Sequence, residues 1–260
     1  MFHCIVGSIG VAFQHMRNNP DQENAILLLT RPLDGNERFC LKIKHLLYKC
    51  EILDSPIQKI EFLPGLSTVN KNAVLIFTSV NGLRAAEKHN LTNNRCFVVG
   101  KNTKKIAVSF GYEVLGFSKD QENLLKLIKS KKPTESMVHI RGKHTVGNLC
   151  ASLKKSEFSC LEIIGYNQEP LKIKKQNLQK IQSGRPVILP IFSSRSAKLL
   201  QSNIDLTGFN VVAISEAVAQ ILTGVELGEL VISKKPDLNS MQEATLAILR
   251  RLIKFDSNKS

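Results

Sequence analysis

The chain has 260 residues, of which 43% are hydrophobic and 22% charged, and 36 Lys and Arg against 22 Asp and Glu leave a net charge of +14. This length predicts two domains, and the composition excludes a disordered, collagen-like or membrane-spanning protein. The charge favours an anionic partner, either a nucleic acid or a small polyacid. Trp is absent and no basic run carries aromatic residues to stack on bases, so a small polyanion is preferred over nucleic acid.

Residues 1–24 are predicted to be a disordered extension. They contain an apolar run at 4–13, but the first basic residue, Arg17, follows that run, and no small-residue cleavage site is present. This pattern does not fit a signal peptide, and the run is too short to span a bilayer.

From Ala25 onward the chain is predicted to alternate strands and helices. Residues 25–31 (AILLLTR) form a continuous apolar run, which is typical of a buried parallel strand. Apolar residues at helical spacing predict a helix over 35–49, and a second strand is predicted to begin at Cys50. The helical spacing is that of Phe39, Ile43, Leu46 and Leu47.

A second unit begins at AVLIFTS (73–79) and continues through a helix, the strand CFVVG (96–100), another helix and the strand EVLGFS. Both units recur further along the chain. A shift of 110 residues aligns Arg31 with Arg141 and Cys50 with Cys160, and a shift of 115 aligns IFTS at 76–79 with IFSS at 191–194.

This interleaved repeat predicts an α/β fold with two similar domains, each a parallel sheet flanked by helices. The loops that follow the strands lie at the carboxyl ends of such sheets, where ligands bind. The spacing leaves open which repeat units share a sheet.

Four short loops at matching places of the two repeats each open a helix with a hydroxyl or glycine residue. Helix N-termini expose backbone N–H groups and attract anions. A single such residue is usually only a helix cap, but four loops together favour a shared anion site. The residues concerned are Thr78, Ser79, Asn81, Gly100, Thr103, Ser193, Ser194 and Ser215.

No phosphate-binding loop, zinc-protease motif or serine-nucleophile motif occurs. The six cysteines include no C-x-x-C pair, so they are predicted to be buried thiols in a reducing cytosol and not metal ligands or disulfides. The six histidines are dispersed; His139 and His144 flank the segment that ends at Gly142, but a solvated or core role is favoured for both. Tyr166, which ends the segment CLEIIGY, is the one acid–base candidate, although packing is the commoner role of such a residue.

These segments together resemble the uroporphyrinogen-III synthase family between about Ala25 and Ile253. The resemblance is carried by the order and spacing of several motifs, each of them weak alone: ILLLTRP (26–32), IFTSVNGLRAAEK (76–88), VVGKNTKKIA (98–107), IRG (140–142), LEIIGYNQEP (161–170), IFSS (191–194), VVAISEAVA (211–219) and VISKKPDLNSMQEATLAI.

The resemblance implies two α/β domains joined by a two-strand linker, with the substrate cleft between them. Domain one is expected to comprise residues 25–58 and 171–255, so that the two chain ends share a sheet, and domain two to comprise residues 59–170. A monomer in the cytoplasm is expected, with neither a nucleic acid nor a membrane as partner.

The reaction implied by the resemblance converts hydroxymethylbilane, a linear tetrapyrrole with acetate and propionate arms, into a cyclic isomer. Loss of the hydroxyl as water gives an azafulvene, a spiro intermediate forms and reopens, and the terminal ring closes inverted. No metal or cofactor takes part. The substrate is expected to arrive from hydroxymethylbilane synthase.

Tyr166 matches the family tyrosine proposed to assist departure of the hydroxyl. Substrate contacts are expected from both repeats. They are Arg31, Thr78, Ser79, Asn81, Gly100, Thr103, Arg141, Gly142, Ser193, Ser194 and Ser215.

The sequence departs from the family pattern at the last of these loops. Ser215 and Val218-Ala219 stand where relatives often have a Gly and a Thr-Ala pair, and the helix that follows is shorter. Whether Val218 contacts substrate is left open. Two other functions also remain as alternatives, namely a two-lobed binding protein for a small polyanion and a basic nucleic-acid-binding protein.

Overall fold

The computed structural model describes residues 25–41, 43, 50–92, 94–145 and 147–257. The expected extension at 1–24 lies outside these residues. The strands, in chain order, are β1 (Ala25–Leu29), β2 (Cys50–Asp54), β3 (Gln58–Phe62), β4 (Val74–Phe77), β5 (Arg95–Val99), β6 (Glu113–Ser118), β7 (Met137–Gly142), β8 (Cys160–Pro170), β9 (Val187–Ile191), β10 (Asn210–Ala213) and β11 (Glu229–Ile232).

A short 3₁₀ helix at Leu66–Thr68 precedes β4. The α-helices are α1 (Leu33–Leu41), α2 (Val80–Lys88), α3 (Lys101–Ser109), α4 (Gln121–Lys131), α5 (Leu149–Lys154), α6 (Lys175–Ile181), α7 (Ser194–Asn203), α8 (Glu216–Ile221) and α9 (Leu238–Ser257). The helix predicted over 35–49 is therefore described as far as Leu41, and residues 44–49 lie outside the described part of the chain.

The chain forms two compact units, and each is built round one sheet. Unit one comprises the described residues of Met1–Lys59 and Pro170–Ser260, and unit two comprises Ile60–Glu169. The chain passes from one unit to the other within β3 and again at the end of β8. Two strands thus carry the connections.

The sheet of unit one has the order β11-β10-β9-β1-β2, and all its strand pairs are parallel. The early strands β1 and β2 thus share a sheet with strands from the end of the chain. Alternate residues of β1 face opposite layers: Ile26 and Leu28 pack with helices α6 to α8, whereas Leu27 packs with α1 and α9.

The sheet of unit two has the order β3-β8-β7-β4-β5-β6, and strands β8 to β6 pair in parallel. Leu75 and Phe77 of β4 pack with residues of α2 and α3, and Val74 and Ile76 pack with residues of α4 and α5. Helices therefore cover both faces of each sheet, which confirms the predicted α/β class and leaves the carboxyl ends of the strands for the loops of interest.

Candidate active site

The phenol of Tyr166 lies at the carboxyl edge of the unit-two sheet. Its side chain is only 6% exposed, and its hydroxyl is 2.8 Å from the Oγ atom of Ser79, the residue that caps α2. The strand β8 continues to Pro170, so Tyr166 lies within the strand and not at its end as predicted. The fold thus joins two candidate residues that are 87 positions apart.

Gly142 allows this position of the tyrosine ring. The register of β7 and β8 shifts between Arg141 and Gly142, so that Gly142 lies opposite Tyr166. A Cβ atom on Gly142 would lie 2.7 Å from Tyr166 Cζ and 2.9 Å from its hydroxyl oxygen. Any residue with a side chain at position 142 would therefore displace the phenol.

Burial raises the pKa of Tyr166, and the hydrogen bond with Ser79 acts in the opposite direction. The phenol is consequently protonated at neutral pH. A protonated phenol beside a second hydroxyl can donate a hydrogen bond or a proton to a leaving group.

Thr78, the residue before Ser79, is held by a buried histidine. Its Oγ1 atom is 3.2 Å from His139 Nε2, and His139 is 2% exposed. Burial lowers the pKa of His139 to about 4, which outweighs the opposite effect of the Glu162 charge. His139 is therefore a neutral core residue, whereas His144 is exposed.

Arg141 forms an ion pair inside unit two. Its Nε atom is 2.9 Å from Glu162 Oε2, and its NH1 group donates to the carbonyl oxygen of Gly142 at 3.0 Å. These contacts hold the guanidinium beside the backbone of Gly142 and neutralise Glu162, an acid that the sequence patterns did not single out. Only the pairing of β7 with β8 reveals it.

The remaining candidates of unit two open helices α2 and α3. Asn81 is half-buried in the first turn of α2. Gly100 is the N-cap of α3 with φ at 89°, a backbone conformation that favours glycine. Thr103, in the first turn of α3, is 6% exposed, so its hydroxyl lies largely within the unit.

In unit one, two candidate serines lie at the start of α7. Ser193 caps the helix by accepting a hydrogen bond from the backbone N–H of Ser196 at 3.1 Å. The Ser194 hydroxyl is 3.5 Å from the carbonyl oxygen of Ala217. Ser215 is the N-cap residue of α8, but its side chain makes no capping bond.

Val218, whose contact with substrate the sequence left open, is buried. It is 1% exposed and belongs to the apolar layer on one face of the unit-one sheet, so it is a packing residue. Helix α8 has 6 residues where α3 has 9, which agrees with the predicted shortening.

Arg31 follows β1 and contacts its own loop. The NH1 group donates to the carbonyl oxygen of Gly35 at 3.3 Å, and the guanidinium carbon lies 4.1 Å from the centre of the Phe192 ring. Stacking on an aromatic ring restricts the direction of a guanidinium, so these two contacts orient the Arg31 side chain at the carboxyl end of β1.

The structure corrects the alignment of the two repeats. Ala25 lies opposite Cys50, but Met137 lies opposite Cys160. If Cys50 corresponds to Cys160, then Ala25 corresponds to Met137, so β1 and β7 are related by a shift of 112 residues and not 110. Arg31 and Arg141, which are 110 residues apart, therefore do not correspond.

A similar offset affects the loops that open the helices. Ser79 and Ser193 are the caps of α2 and α7, so Ser79 corresponds to Ser193 and not, as aligned by sequence, to Ser194. Strand β4 ends at Phe77 and β9 at Ile191, so the structure relates these two segments by a shift of 114 residues and not 115.

The prediction that no cysteine forms a disulfide is wrong for one pair. Cys150 of α5 and Cys160 of β8 form a disulfide with their Cα atoms 5.4 Å apart. Cys40, Cys50 and Cys96 are buried thiols as expected, and burial raises the pKa of Cys96 to about 12. Cys4 lies outside the described residues.

The fold also brings His139 close to a carboxylate and a cysteine that do not lie at ligand spacing from it in the sequence. His139 Nδ1 is 3.8 Å from Glu162 Oε1, and Cys150 adjoins both residues. Their separations of 11 and 23 positions carry no recognisable motif, because three different elements supply the three side chains.

Comparison with known proteins identifies the family. A sequence model described as uroporphyrinogen-III synthase HemD matches residues 48–243. The chain belongs to the uroporphyrinogen-III synthase family. No curated protein sequence matches it at a significant level.

Solved uroporphyrinogen-III synthases share the fold at low sequence identity. The Helicobacter pylori enzyme is 14% identical, with a TM-score of 0.62 over 87% of this chain and 99% of that one. A mutant of the Thermus thermophilus enzyme is also 14% identical and covers the same shares of the two chains, with a TM-score of 0.52.

Membership of the uroporphyrinogen-III synthase family establishes the activity. The chain is an enzyme of tetrapyrrole biosynthesis, a hydro-lyase type cyclase whose family substrate is hydroxymethylbilane. The family does not support either alternative function. Among the described residues, no helix is long and apolar enough to cross a membrane.

Proposed function

We propose that Tyr166 is the general acid of the uroporphyrinogen-III synthase reaction in this chain. In this role the C–O bond of the hydroxymethyl group breaks as the phenol transfers its proton to the departing oxygen, and water leaves. The resulting phenolate takes back a proton that the pyrrole system releases after the macrocycle has closed. One water is lost overall and the enzyme is regenerated.

The contact that supports this role most directly is the one between Tyr166 and Ser79. A phenol that is 6% exposed and 2.8 Å from another hydroxyl is held in one orientation. Its raised pKa keeps the proton in place until the leaving oxygen accepts it. Ser79 acts as a positioning residue in this proposal.

We further propose that the loops at the carboxyl end of each sheet bind substrate carboxylates. In unit two the groups are the first turns of α2 and α3, together with Arg141 and Gly142. In unit one they are Arg31 and the first turns of α7 and α8. The backbone N–H groups of a first turn favour anions by about 0.3–1 kcal/mol at each terminus, so several loops together would be needed, and the net charge of +14 adds to the attraction.

Orientation of the terminal ring is expected to contribute more to catalysis than binding of the carboxylates alone. Closure at a substituted carbon requires the ring to be held inverted, and such positioning contributes more to the rate than one proton transfer. The isomer formed is therefore expected to depend on the whole set of loops and not on Tyr166.

The Tyr166→Phe variant tests the acid role, because it keeps the ring and removes only the O–H group. We expect the initial rate with freshly made hydroxymethylbilane to fall about tenfold to a hundredfold. The ratio of type III to type I product, corrected for spontaneous closure to type I, should not change.

Tyr112→Phe is the matched control. Tyr112 is 4% exposed in the same unit, and its hydroxyl makes no hydrogen bond with any described residue, so its removal should leave the rate unchanged. If both the rate and the isomer ratio are unchanged in Tyr166→Phe, Tyr166 has only a packing role. A normal rate with scrambled isomers would make it a positioning residue.

We also propose that the enzyme acts as a monomer in the cytoplasm and receives its substrate from hydroxymethylbilane synthase. The support is chemical: hydroxymethylbilane closes spontaneously to the type I isomer, so a short transit favours the type III product. Sedimentation analysis tests the monomer. Type I formation that is independent of the ratio of the two enzymes would contradict the handover.

A further inference from the structure

Three potential metal ligands converge on one face of the unit-two sheet, and a fourth is bonded to one of them. Cys160 and Glu162 are two residues apart on β8 and so face the same side. His139 lies directly opposite Glu162 on β7, and Cys150 reaches the group from α5. One ligand atom each of His139, Cys150 and Glu162 lies within 4.8 Å of the others, and Cys160 is bonded to Cys150.

The imidazole of His139 points an unsatisfied nitrogen into this cluster. The ring is 2% exposed, and its Nε2 atom is occupied by Thr78 at 3.2 Å. Nδ1 makes no hydrogen bond with any described residue, because the nearest carboxylate oxygen, Glu162 Oε1, is 3.8 Å away. A buried nitrogen that makes no hydrogen bond destabilises the fold, and a ligand bound at Nδ1 would remove that cost.

Glu162 also has an oxygen to offer. Its Oε2 atom is taken by Arg141 at 2.9 Å, whereas Oε1 is the oxygen nearer to His139. The cluster therefore presents one nitrogen, one oxygen and two sulfurs. Zinc in proteins takes four such ligands in a tetrahedron, with Zn–S at about 2.3 Å and Zn–N at about 2.0–2.1 Å.

We propose that reduction of the Cys150–Cys160 disulfide turns this cluster into a site for a thiophilic divalent cation such as Zn²⁺. The ligands are His139 Nδ1, the two cysteine sulfurs and Glu162 Oε1. The site is distinct from the phenol proposed above as the general acid, and it does not depend on that proposal.

Formation of the site takes two balanced steps. A dithiol reductant gives two electrons and two protons to the disulfide, which becomes two thiols while the reductant becomes a disulfide. The cation then displaces the two thiol protons to form two metal–sulfur bonds. The sulfurs are thus bonded either to each other or to the cation, and the oxidised protein offers no thiolate.

The cation would also affect the loop before α2. A metal on Nδ1 requires the ring proton to be on Nε2, so that His139 donates its hydrogen bond to Thr78 Oγ1. The metal-bound state therefore has one tautomer and one direction for this bond.

Unit one contains a natural control for the site. Cys40 on α1 and Cys50 on β2 are, like Cys150 and Cys160, 10 positions apart, but both remain thiols. The residue two positions after Cys50 is Ile52, and it lies opposite Leu27. Two apolar side chains therefore stand where unit two has Glu162 and His139.

The test uses the full chain, reduced with dithiothreitol, desalted without oxygen and titrated with Co²⁺. We expect one Co²⁺ per chain, with the visible absorption of tetrahedral cobalt and a near-ultraviolet thiolate-to-cobalt band, both lost when Zn²⁺ is added. The disulfide form should show neither band.

Variants assign the ligands. Cys150→Ser should weaken Co²⁺ binding by more than the about 100-fold that loss of an outer-shell partner costs, and Cys40→Ser, the matched control, should leave both bands intact. Glu162→Gln, at a partly exposed side chain, keeps both thiols and guards against misfolding of the cysteine variants. It should weaken binding and keep the thiolate band.

Three results would overturn the proposal. The first is a reduced protein that shows no thiolate-to-cobalt band. The second is a band that persists when both Cys150 and Cys160 are replaced by Ser. The third is a band that disappears in Cys40→Ser, which would place the bound metal in unit one.

Discussion

The two units of this enzyme share a strand order and helix caps but differ in their buried polar side chains. Five strands follow the same order in both sheets, which is β2-β1-β9-β10-β11 in unit one and β8-β7-β4-β5-β6 in unit two. In both, a serine caps the helix after the central strand, namely Ser193 and Ser79. The backbone and its caps are therefore repeated.

The buried polar groups are not repeated. His139 faces Glu162 in unit two, whereas Leu27 faces Ile52 at the corresponding register of unit one. The residue 110 positions before Tyr166 is Pro56, which has no hydroxyl to place beside Ser193. The comparison teaches that the repeated backbone supplies helix N-termini twice, but the candidate acid and the candidate metal ligands only once.

The largest expected difference between the units comes from placing an aspartate at each cap. Aspartate is a good N-cap, so Ser79→Asp and Ser193→Asp should both fold. In unit two the new carboxylate lies next to the phenol of Tyr166 and repels the anionic substrate, an effect of about 1–4 kcal/mol. We expect kcat/KM to fall more than about a hundredfold in Ser79→Asp and about tenfold in Ser193→Asp.

Steady-state kinetics measure kcat/KM for each variant, and a thermal unfolding curve shows whether the variant is folded. The corresponding alanine variants should lose activity only partly. If alanine and aspartate are tolerated equally in folded protein, these loops cap helices and do not bind substrate.

A smaller loss is expected from Gly142→Ala. The added Cβ atom would lie 2.7 Å from Tyr166 Cζ, so the phenol must move away from Ser79, and we expect a rate loss of about tenfold, the lower end of the range for a general acid. Gly116→Ala is the control in the same unit, because its Cβ atom would lie 2.7 Å from Leu127 Cδ2, the end of a side chain.

Both glycine variants should lose stability, but only Gly142→Ala should lose rate when assayed well below its unfolding temperature. Loss of rate in both would show that strain anywhere in unit two impairs catalysis. The special position of Gly142 beside the tyrosine would then be refuted.

The smallest expected effect is on stability and concerns Glu51 of unit one. This carboxylate has two basic partners, Lys180 and Arg185, whereas Glu162 of unit two pairs with Arg141. Glu51 accepts hydrogen bonds from Lys180 and from Arg185, the latter at 2.6 Å. Burial alone would raise the pKa of Glu51, but these two partners outweigh it and the pKa is lowered. Glu51 therefore stabilises the fold above its unfolded pKa, and this contribution disappears as the pH falls through the folded value.

Urea unfolding of the wild type and of Glu51→Gln checks this sign. The stability advantage of the wild type should be present at neutral pH and should shrink below about pH 4, near the usual pKa of a glutamate. An advantage that persists unchanged into acid would show that Glu51 acts by packing alone.

Much of the frame was predictable from sequence. Continuous apolar runs such as residues 25–29 mark buried parallel strands, and the spacing of apolar residues marks the helices between them. The internal repeat predicted two similar sheets, and hydroxyl residues directly after strands predicted caps such as Ser79 and Ser193. These features are local, because each depends on a few neighbouring residues.

The site geometry was not predictable in the same way. The Gly142–Tyr166 approach and the Arg141–Glu162 pair depend on the register of β7 with β8, which shifts by one residue after Arg141. The Cys150–Cys160 bond depends on the packing of α5 against β8. Equal spacing in sequence suggested that Arg31 corresponds to Arg141, but the strand pairing differs by two residues between the units.

The sequence by itself thus determined the alternation of strands and helices, the repeat, and Tyr166 as the candidate acid. Only the tertiary structure decided what surrounds that tyrosine and that His139, Cys150, Cys160 and Glu162 meet. The physical reason is that hydrogen bonds between strands and packing between layers set the register and the side-chain contacts. Those interactions join residues far apart along the chain, where spacing carries no signal.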